Sequence, residues 1–180
     1  MARLRLVAEQ IKQVEEARLA RLEQQPAAGQ QQPAAGQQQP AAGQNAMVQL
    51  LVRVVGVGTE TADMLVHEIL SRGLRDRRAV ARYAGLTGAP DGSGSRRREK
   101  GLAKAGNARV RRGMIQLAWR FLLHQKDSAL AQWYRARTAD ARGGTRKTLI
   151  VALARKPLIA LWSLVTTGAT PEGLVLRPAV

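Results

Sequence analysis

Two serines carry the most pointed chemistry in this chain. Ser93 and Ser95 sit in DGSGSRRREKGLAKAGNARVRR, Asp91 to Arg112, a glycine-rich stretch that runs directly into positive charge. Between Arg96 and Arg112 lie Arg96, Arg97, Arg98, Lys100, Lys104, Arg109, Arg111 and Arg112, with Glu99 as the opposing charge. Arginine forks bind phosphate oxygens bidentately, and several together neutralise a phosphodiester backbone. A serine hydroxyl is a weak nucleophile until its surroundings activate it, and phosphoryl transfer depends mainly on positioning and charge stabilisation. Flanked by Gly92 and Gly94, Ser93 has the backbone freedom to be presented to a phosphate. Spacing alone leaves two readings open: a nucleophile held against a phosphodiester, or a loop serine bonding its own turn.

Other chemistry has less support. His67 and His124 have no His, Cys or carboxylate partner at a metal-binding spacing, and the core carboxylates, Glu60, Asp63, Glu68, Asp76, Asp91, Glu99, Asp127, Asp140 and Glu172, are scattered. No metal site is expected in this chain. Cysteine is absent, which excludes disulfides and thiolate chemistry. With 29 Lys and Arg against 13 Asp and Glu in 180 residues, the formal charge is +16, and a polyanion is the expected partner. The longest apolar run, from Leu149, is interrupted by Arg155, Lys156 and Pro157, so a membrane protein is not expected.

The elements that would position these residues follow from periodicity. Residues 1–23 form a charged amphipathic helix with Leu4, Val7, Ile11 and Val14 at coiled-coil spacing, too short to stand without a partner. Residues 24–44 repeat QQPAAGQ three times and are expected to be a disordered linker, since the unit has no face to bury. Residues 45–180 read as one compact all-α domain. Its helical periods include Val48, Leu51, Val52 and Val55; Ala62, Leu65, Val66 and Ile69; and Val110, Met114, Leu117, Phe121 and Leu122. Asp76, Asn107 and Asp127 are expected N-caps, Pro157 an expected kink or break, and Trp119, Phe121, Trp133, Tyr134 and Trp162 expected core residues. LLVRVVGVGTETADMLVHEI, Leu50 to Ile69, has the form helix, Gly-Val-Gly turn, helix, and resembles a helix-hairpin-helix motif. Gly56 and Gly58 would let its backbone approach a phosphate. An ordinary αα-hairpin with a glycine corner fits the same residues.

Taken in order, VVGVGTETADMLVHEI, RRAVARYAGLTGAP, DGSGSRRREKGLAKAGNARVRRGMIQLAWRFL, DSALAQWYRAR and RKTLIVALARKPLIALW resemble the C-terminal transposase domain of the IS-one-ten family of insertion-sequence transposases. The likeness covers Ala46 to Pro178, and the leading helix is similar to the end of that family's inter-domain coiled coil. The resemblance implies a DNA recombinase whose RuvC-like N-terminal domain holds Mg²⁺ and whose C-terminal domain carries a nucleophilic serine. That serine forms a phosphoserine link to DNA, a structured non-coding guide RNA selects the sites, and dimers assemble further. Carried over by position, the nucleophile falls on Ser93, with Ser95 in reserve. The nucleic-acid-binding set comprises Gly56, Gly58, Arg96, Arg97, Arg98, Lys100, Lys104, Gly106, Asn107 and Arg109. This chain reads GLTG at Gly88 where the family usually has GLTP, and Ala103-Lys104 where it usually has Ser-Lys. Pro157 falls in a helix normally free of proline. With no acidic domain ahead of Met1, the expectation is a truncated chain that binds nucleic acid in the bacterial cytoplasm, at the nucleoid, without recombining it. The competing expectation is a non-catalytic basic module of ribosomal or chromosome-associated type, for which the same charge suffices.

Overall fold

The computed structural model describes residues 2–24, 40–93, 96–102, 105–140, 143–168, 170 and 172–178. Seven α-helices account for most of them: α1 (Ala2–Gln24), α2 (Pro40–Val52), α3 (Thr59–Leu65), α4 (Arg77–Tyr83), α5 (Ala108–His124), α6 (Ala129–Thr138) and α7 (Gly143–Thr167). The all-α reading holds for the whole packed core. Most of the repeat falls outside the described residues. Its third copy already contributes Pro40 as the first residue of α2, where fixed φ and a missing N–H cost nothing.

The core is a single cluster. Leu51, Leu65, Ile69, Met114, Leu117, Phe121, Leu153, Leu158, Leu161 and Leu164 are all but fully buried. Helix α7 is its centre and packs against α2, α4, α5 and α6. By length and composition α7 is apolar enough to cross a membrane, yet its Leu153, Ala154, Leu158, Leu161 and Leu164 are already buried inside this domain. The expected break at Pro157 does not occur. The α-helical span runs through it, with the proline ring itself buried.

Caps follow the sequence with one exception. Asp76 accepts from the N–H groups of Arg78 and Ala79 at 2.8 and 2.7 Å, and Asn107 from those of Arg109 and Val110 at 3.0 and 3.1 Å. At α6 the cap is Ser128, whose hydroxyl accepts from Ala131 N–H at 3.2 Å, and not the adjacent Asp127. Asp127 instead offers its backbone carbonyl to Gln132 Nε2. Two adjacent cap-competent residues cannot be separated by type alone, and one residue of register decides between them.

Three further expectations are corrected. Trp119 is 53% exposed and meets Tyr134 edge-on, so it is not a core residue, whereas Phe121 and Tyr134 are buried. Val54 is buried in place of Val55, because α2 ends at Val52 and the helical period stops there. Part of the stretch read as a basic loop is an antiparallel hairpin, β1 (Gly88–Ser93) and β2 (Arg96–Leu102).

Candidate nucleic-acid interface

The glycine corner between α2 and α3 is held from three directions. Gln125, itself buried, donates to Val55 C=O at 2.5 Å and accepts from Val175 N–H at 3.2 Å. Val55 N–H donates to Val175 C=O, and Arg177 N–H to Arg53 C=O, so the C-terminal segment pairs with the turn like a short strand. Gly56 has φ +89, and a Cβ there would face Phe121 and the Arg120 carbonyl of α5 at 3.8 to 3.9 Å. A Cβ would fit there in ordinary contact, so it is the positive φ of the turn that calls for glycine. Gly58 is the N-cap of α3, with Glu15 Oε1 of α1 lying 3.6 Å from where a Cβ would be. A carboxylate already stands at this corner, as expected of anions near unsatisfied N–H groups. Arg120 ties the corner down from α5, donating to Thr61 Oγ1 at 2.7 Å. Thr59 is buried, and its hydroxyl has no hydrogen-bond partner among the described residues.

From α3 the chain continues as a π-helical turn, Val66–Leu70, which carries Glu68. Glu68 was not singled out as a binding or catalytic residue, yet it organises the next joint. Its Oε2 accepts from Asn107 Nδ2 at 2.8 Å and its Oε1 from Arg109 Nη1 at 3.1 Å. The Asn107 carboxamide thus caps α5 through its oxygen and grips the π-turn through its nitrogen. Asn107 N–H also donates to Tyr83 C=O at 2.7 Å. Gly106, at φ +110, lies so close to the end of α4 that a Cβ would meet Gly85 N at 2.7 Å and Tyr83 O at 2.8 Å. Gly106 and Asn107 therefore lock α4, the π-turn and α5 together. Arg109, 65% exposed, is the member of this group with a free face toward solvent. Further along α5, Arg111 keeps a buried Nη1 with no hydrogen-bond partner among the described residues.

Helix α4 enters through the Asp76 cap. The Ala79 N–H bond is the largest influence on the Asp76 carboxyl, and with the Arg78 N–H and the adjacent Arg75 it holds the pKa below the ordinary value against desolvation, the second largest influence. The helix ends at Gly85, φ +64, with Leu86 N–H reaching back to Ala81 C=O. The hairpin starts immediately after this ending. Its register pairs Gly88 with Leu102, Ala89 with Lys100, Pro90 with Glu99, Asp91 with Arg98, Gly92 with Arg97 and Ser93 with Arg96, with an irregularity between Gly88 and Ala89. Ser93 thus ends β1 in register with Arg96, the first residue of β2. Ser95 and Lys104 lie outside the described residues.

The predicted residues that are described fall on three parts of the fold. Gly56 and Gly58 belong to the α2–α3 corner; Gly106, Asn107 and Arg109 to the α4–α5 joint; Ser93, Arg96, Arg97, Arg98 and Lys100 to the hairpin. Among the described residues no three His, Asp or Glu side chains converge to hold a metal ion. His67 bonds its own helix, through Asp63, and is exposed.

Two comparisons bear on this arrangement. The family described as Transposase IS116/IS110/IS902 matches residues 48–135, from α2 through the hairpin into α6. A protein of Sinorhizobium fredii (strain NBRC 101917 / NGR234), y4rJ, whose name assigns it as a transposase, is 46% identical over 130 residues. That alignment covers 71% of this chain and 33% of the relative, so the chain spans about a third of the relative's length.

Proposed function

We propose, from the premise that this chain belongs to the IS116/IS110/IS902 family of transposases, that its helical domain binds DNA and supplies the nucleophile for strand transfer from Ser93. The observation that carries this reading is the hairpin register, in which Ser93 is paired with Arg96 at the head of a strand that reads RRREKGL. A phosphodiester drawn to that strand by its charge lies beside the serine.

The step balances as a transesterification. Ser93 Oγ attacks phosphorus, an Oγ–P bond forms, and the bond from phosphorus to one bridging oxygen breaks. The serine proton leaves to a base, and the departing nucleoside oxygen takes up a proton. Cations of the hairpin stabilise the charge that builds on the non-bridging oxygens. Mg²⁺, which the family resemblance implies in another domain, has no seat among the described residues, and no step here runs through it. Arg109 contributes a further phosphate contact from the α4–α5 joint, while Gly106 and Asn107 act by holding that joint.

Two partners beyond DNA belong to the same reading. Leu4, Val7, Ile11 and Val14 of α1 are each at least half exposed at coiled-coil spacing, which supports pairing of α1 with a second copy. A structured guide RNA is the other, for which the hairpin cations supply the charge.

The test replaces the corresponding segment of the Sinorhizobium fredii relative with residues 46–178 and follows covalent protein–DNA adducts on denaturing gels. Ser93→Ala abolishes the adduct and leaves DNA affinity within about twofold, and Ser95→Ala retains both. An adduct that survives Ser93→Ala removes Ser93 from the mechanism. A chain that binds no DNA removes the reading altogether.

A further inference from the structure

The function proposed above makes no use of an open groove of about 1130 Å³ bounded by the first turn of α4, the base of the hairpin, α6 and α7. Its lining is mixed, with Leu86, Leu130, Val151, Ile159 and Trp133 as apolar members. The same lining carries cations, Arg77 and Arg78 from α4 and Lys147, Arg155 and Lys156 from α7, with Glu172 as an acidic member. From Lys147 to Ser163, both on the groove, α7 runs for roughly 24 Å at about 1.5 Å per residue.

Among the described residues most cations lack a carboxylate partner, and these are set apart by sharing one groove. Arg109 is paired with Glu68 and Arg75 with Asp76, whereas among the described residues Arg77, Arg78, Lys147 and Arg155 have no carboxylate partner. Lys156 lies 4.6 Å and Arg137 5.2 Å from the Trp133 ring centroid. Like charges gathered in a cleft whose walls are partly apolar focus a positive field and draw in a polyanion. The apolar members select the kind. A duplex presents phosphates outward and would rest on the cations, leaving those members wet. Unpaired nucleotides place phosphates on the cations and bases on the apolar members, where an aromatic face stacks them without regard to sequence. A base arriving at Trp133 takes the place of Lys156, whose ammonium then moves from ring to phosphate.

We propose that the α4–α6–α7 groove is a binding site for single-stranded nucleic acid, with backbone phosphates on Arg77, Arg78, Lys147 and Arg155 and a base stacked on Trp133. This rests on the nucleic-acid reading above and adds a second face to it, which meets the hairpin only at its base.

The test measures binding of the chain to oligothymidylate, oligouridylate and a duplex of equal length at one salt concentration. Trp133→Leu is expected to weaken both single strands about tenfold, a loss of about 1.4 kcal/mol within the range for one stacked base, and to leave the duplex within about twofold. Because Trp133 is half-buried, the variant Arg77→Ala/Lys147→Ala, at two exposed positions, provides an arm independent of folding. It lowers the salt slope for single strands by about 1.4, at ~0.7 per phosphate contact. Ultraviolet crosslinking of the unaltered chain to oligo-4-thiouridylate should mark the α6 or α7 peptides that carry Trp133 or Lys156. Single strands that bind equally well to both variants, or crosslinks confined to the hairpin and α2–α3, overturn the groove. Duplex binding without single-strand binding overturns the groove and leaves the reading beneath it standing, whereas no binding to either overturns both. The thymidylate and uridylate arms distinguish DNA from RNA as the natural source.

Discussion

The α4–α5 joint and the α4–α6–α7 groove are both rich in cations and polar groups, and they spend them in opposite ways. At the joint, Glu68 takes Asn107 Nδ2 and Arg109 Nη1, Asn107 caps α5, and Gly106 leaves no room for a Cβ. In the groove, Arg77, Arg78, Lys147 and Arg155 have no carboxylate partner among the described residues, and apolar side chains share the lining with them. Internal pairing turns Asn107 and Glu68 into structure, while Arg109 keeps an exposed face beside its pair; lack of pairing leaves a cation wholly available for a ligand. Substitutions at the joint should therefore be read in stability, and substitutions at the groove in affinity.

The largest effect expected at the joint is that of Gly106→Ala. It forces a Cβ to within 3 Å of three backbone atoms of α4 and its ending, at a φ that side chains rarely adopt. The expected loss is roughly 3–5 kcal/mol, combining overpacking and backbone strain, seen as a lowered denaturant midpoint. A loss of affinity at unchanged stability would move Gly106 to the ligand side of the comparison. Asn107→Ala removes a cap and a hydrogen bond to a carboxylate, with an expected loss of about 2–4 kcal/mol in the same measurement. In contrast, Arg77→Ala/Lys147→Ala in the groove, at two exposed positions, should shift stability by no more than about 0.5 kcal/mol, so a substantial loss on denaturant unfolding would show that these cations are structural too.

Smaller effects sharpen the comparison at buried and capping groups. Thr59→Val exchanges an unpartnered buried hydroxyl for a methyl group and should raise stability by up to about 1 kcal/mol. A decrease would reveal a partner for that hydroxyl. Asp76 is held below the ordinary carboxyl pKa by Ala79 and Arg78 N–H groups and Arg75. A folded pKa depressed below the unfolded one means stability that is present above the unfolded value and is lost as pH falls through the folded value. An NMR titration of Asp76 should give a midpoint below that of an unstructured aspartate, and an equal midpoint would mean that the cap is not formed in solution.

Much of this contrast was legible in sequence and part of it was not. Periodicity located Leu51, Leu65, Met114, Leu117 and Phe121 because a helix repeats its buried face along the chain. Asp76 and Asn107 were legible as caps because their types compete for backbone N–H groups locally. Glu68, Gln125 and the groove were not, since each depends on segments far apart in the chain that meet only after packing. The hairpin escaped for a different reason. GAPDGS and RRREKGL have no alternation of apolar and polar residues, so a backbone ladder joins strands that side-chain pattern does not mark. Trp119 has a core residue's spacing but lies at the margin of the buried stripe of α5, where spacing does not distinguish inside from edge.

The proposed role of Ser93 as the nucleophile toward a DNA phosphate can be examined without any substitution. The covalent adduct formed by the grafted protein is digested with nuclease and protease, and the peptide that retains a nucleotide phosphate is sequenced by mass spectrometry. The account predicts the phosphate on Ser93. A phosphate on Ser95, or on any residue outside the hairpin, contradicts it.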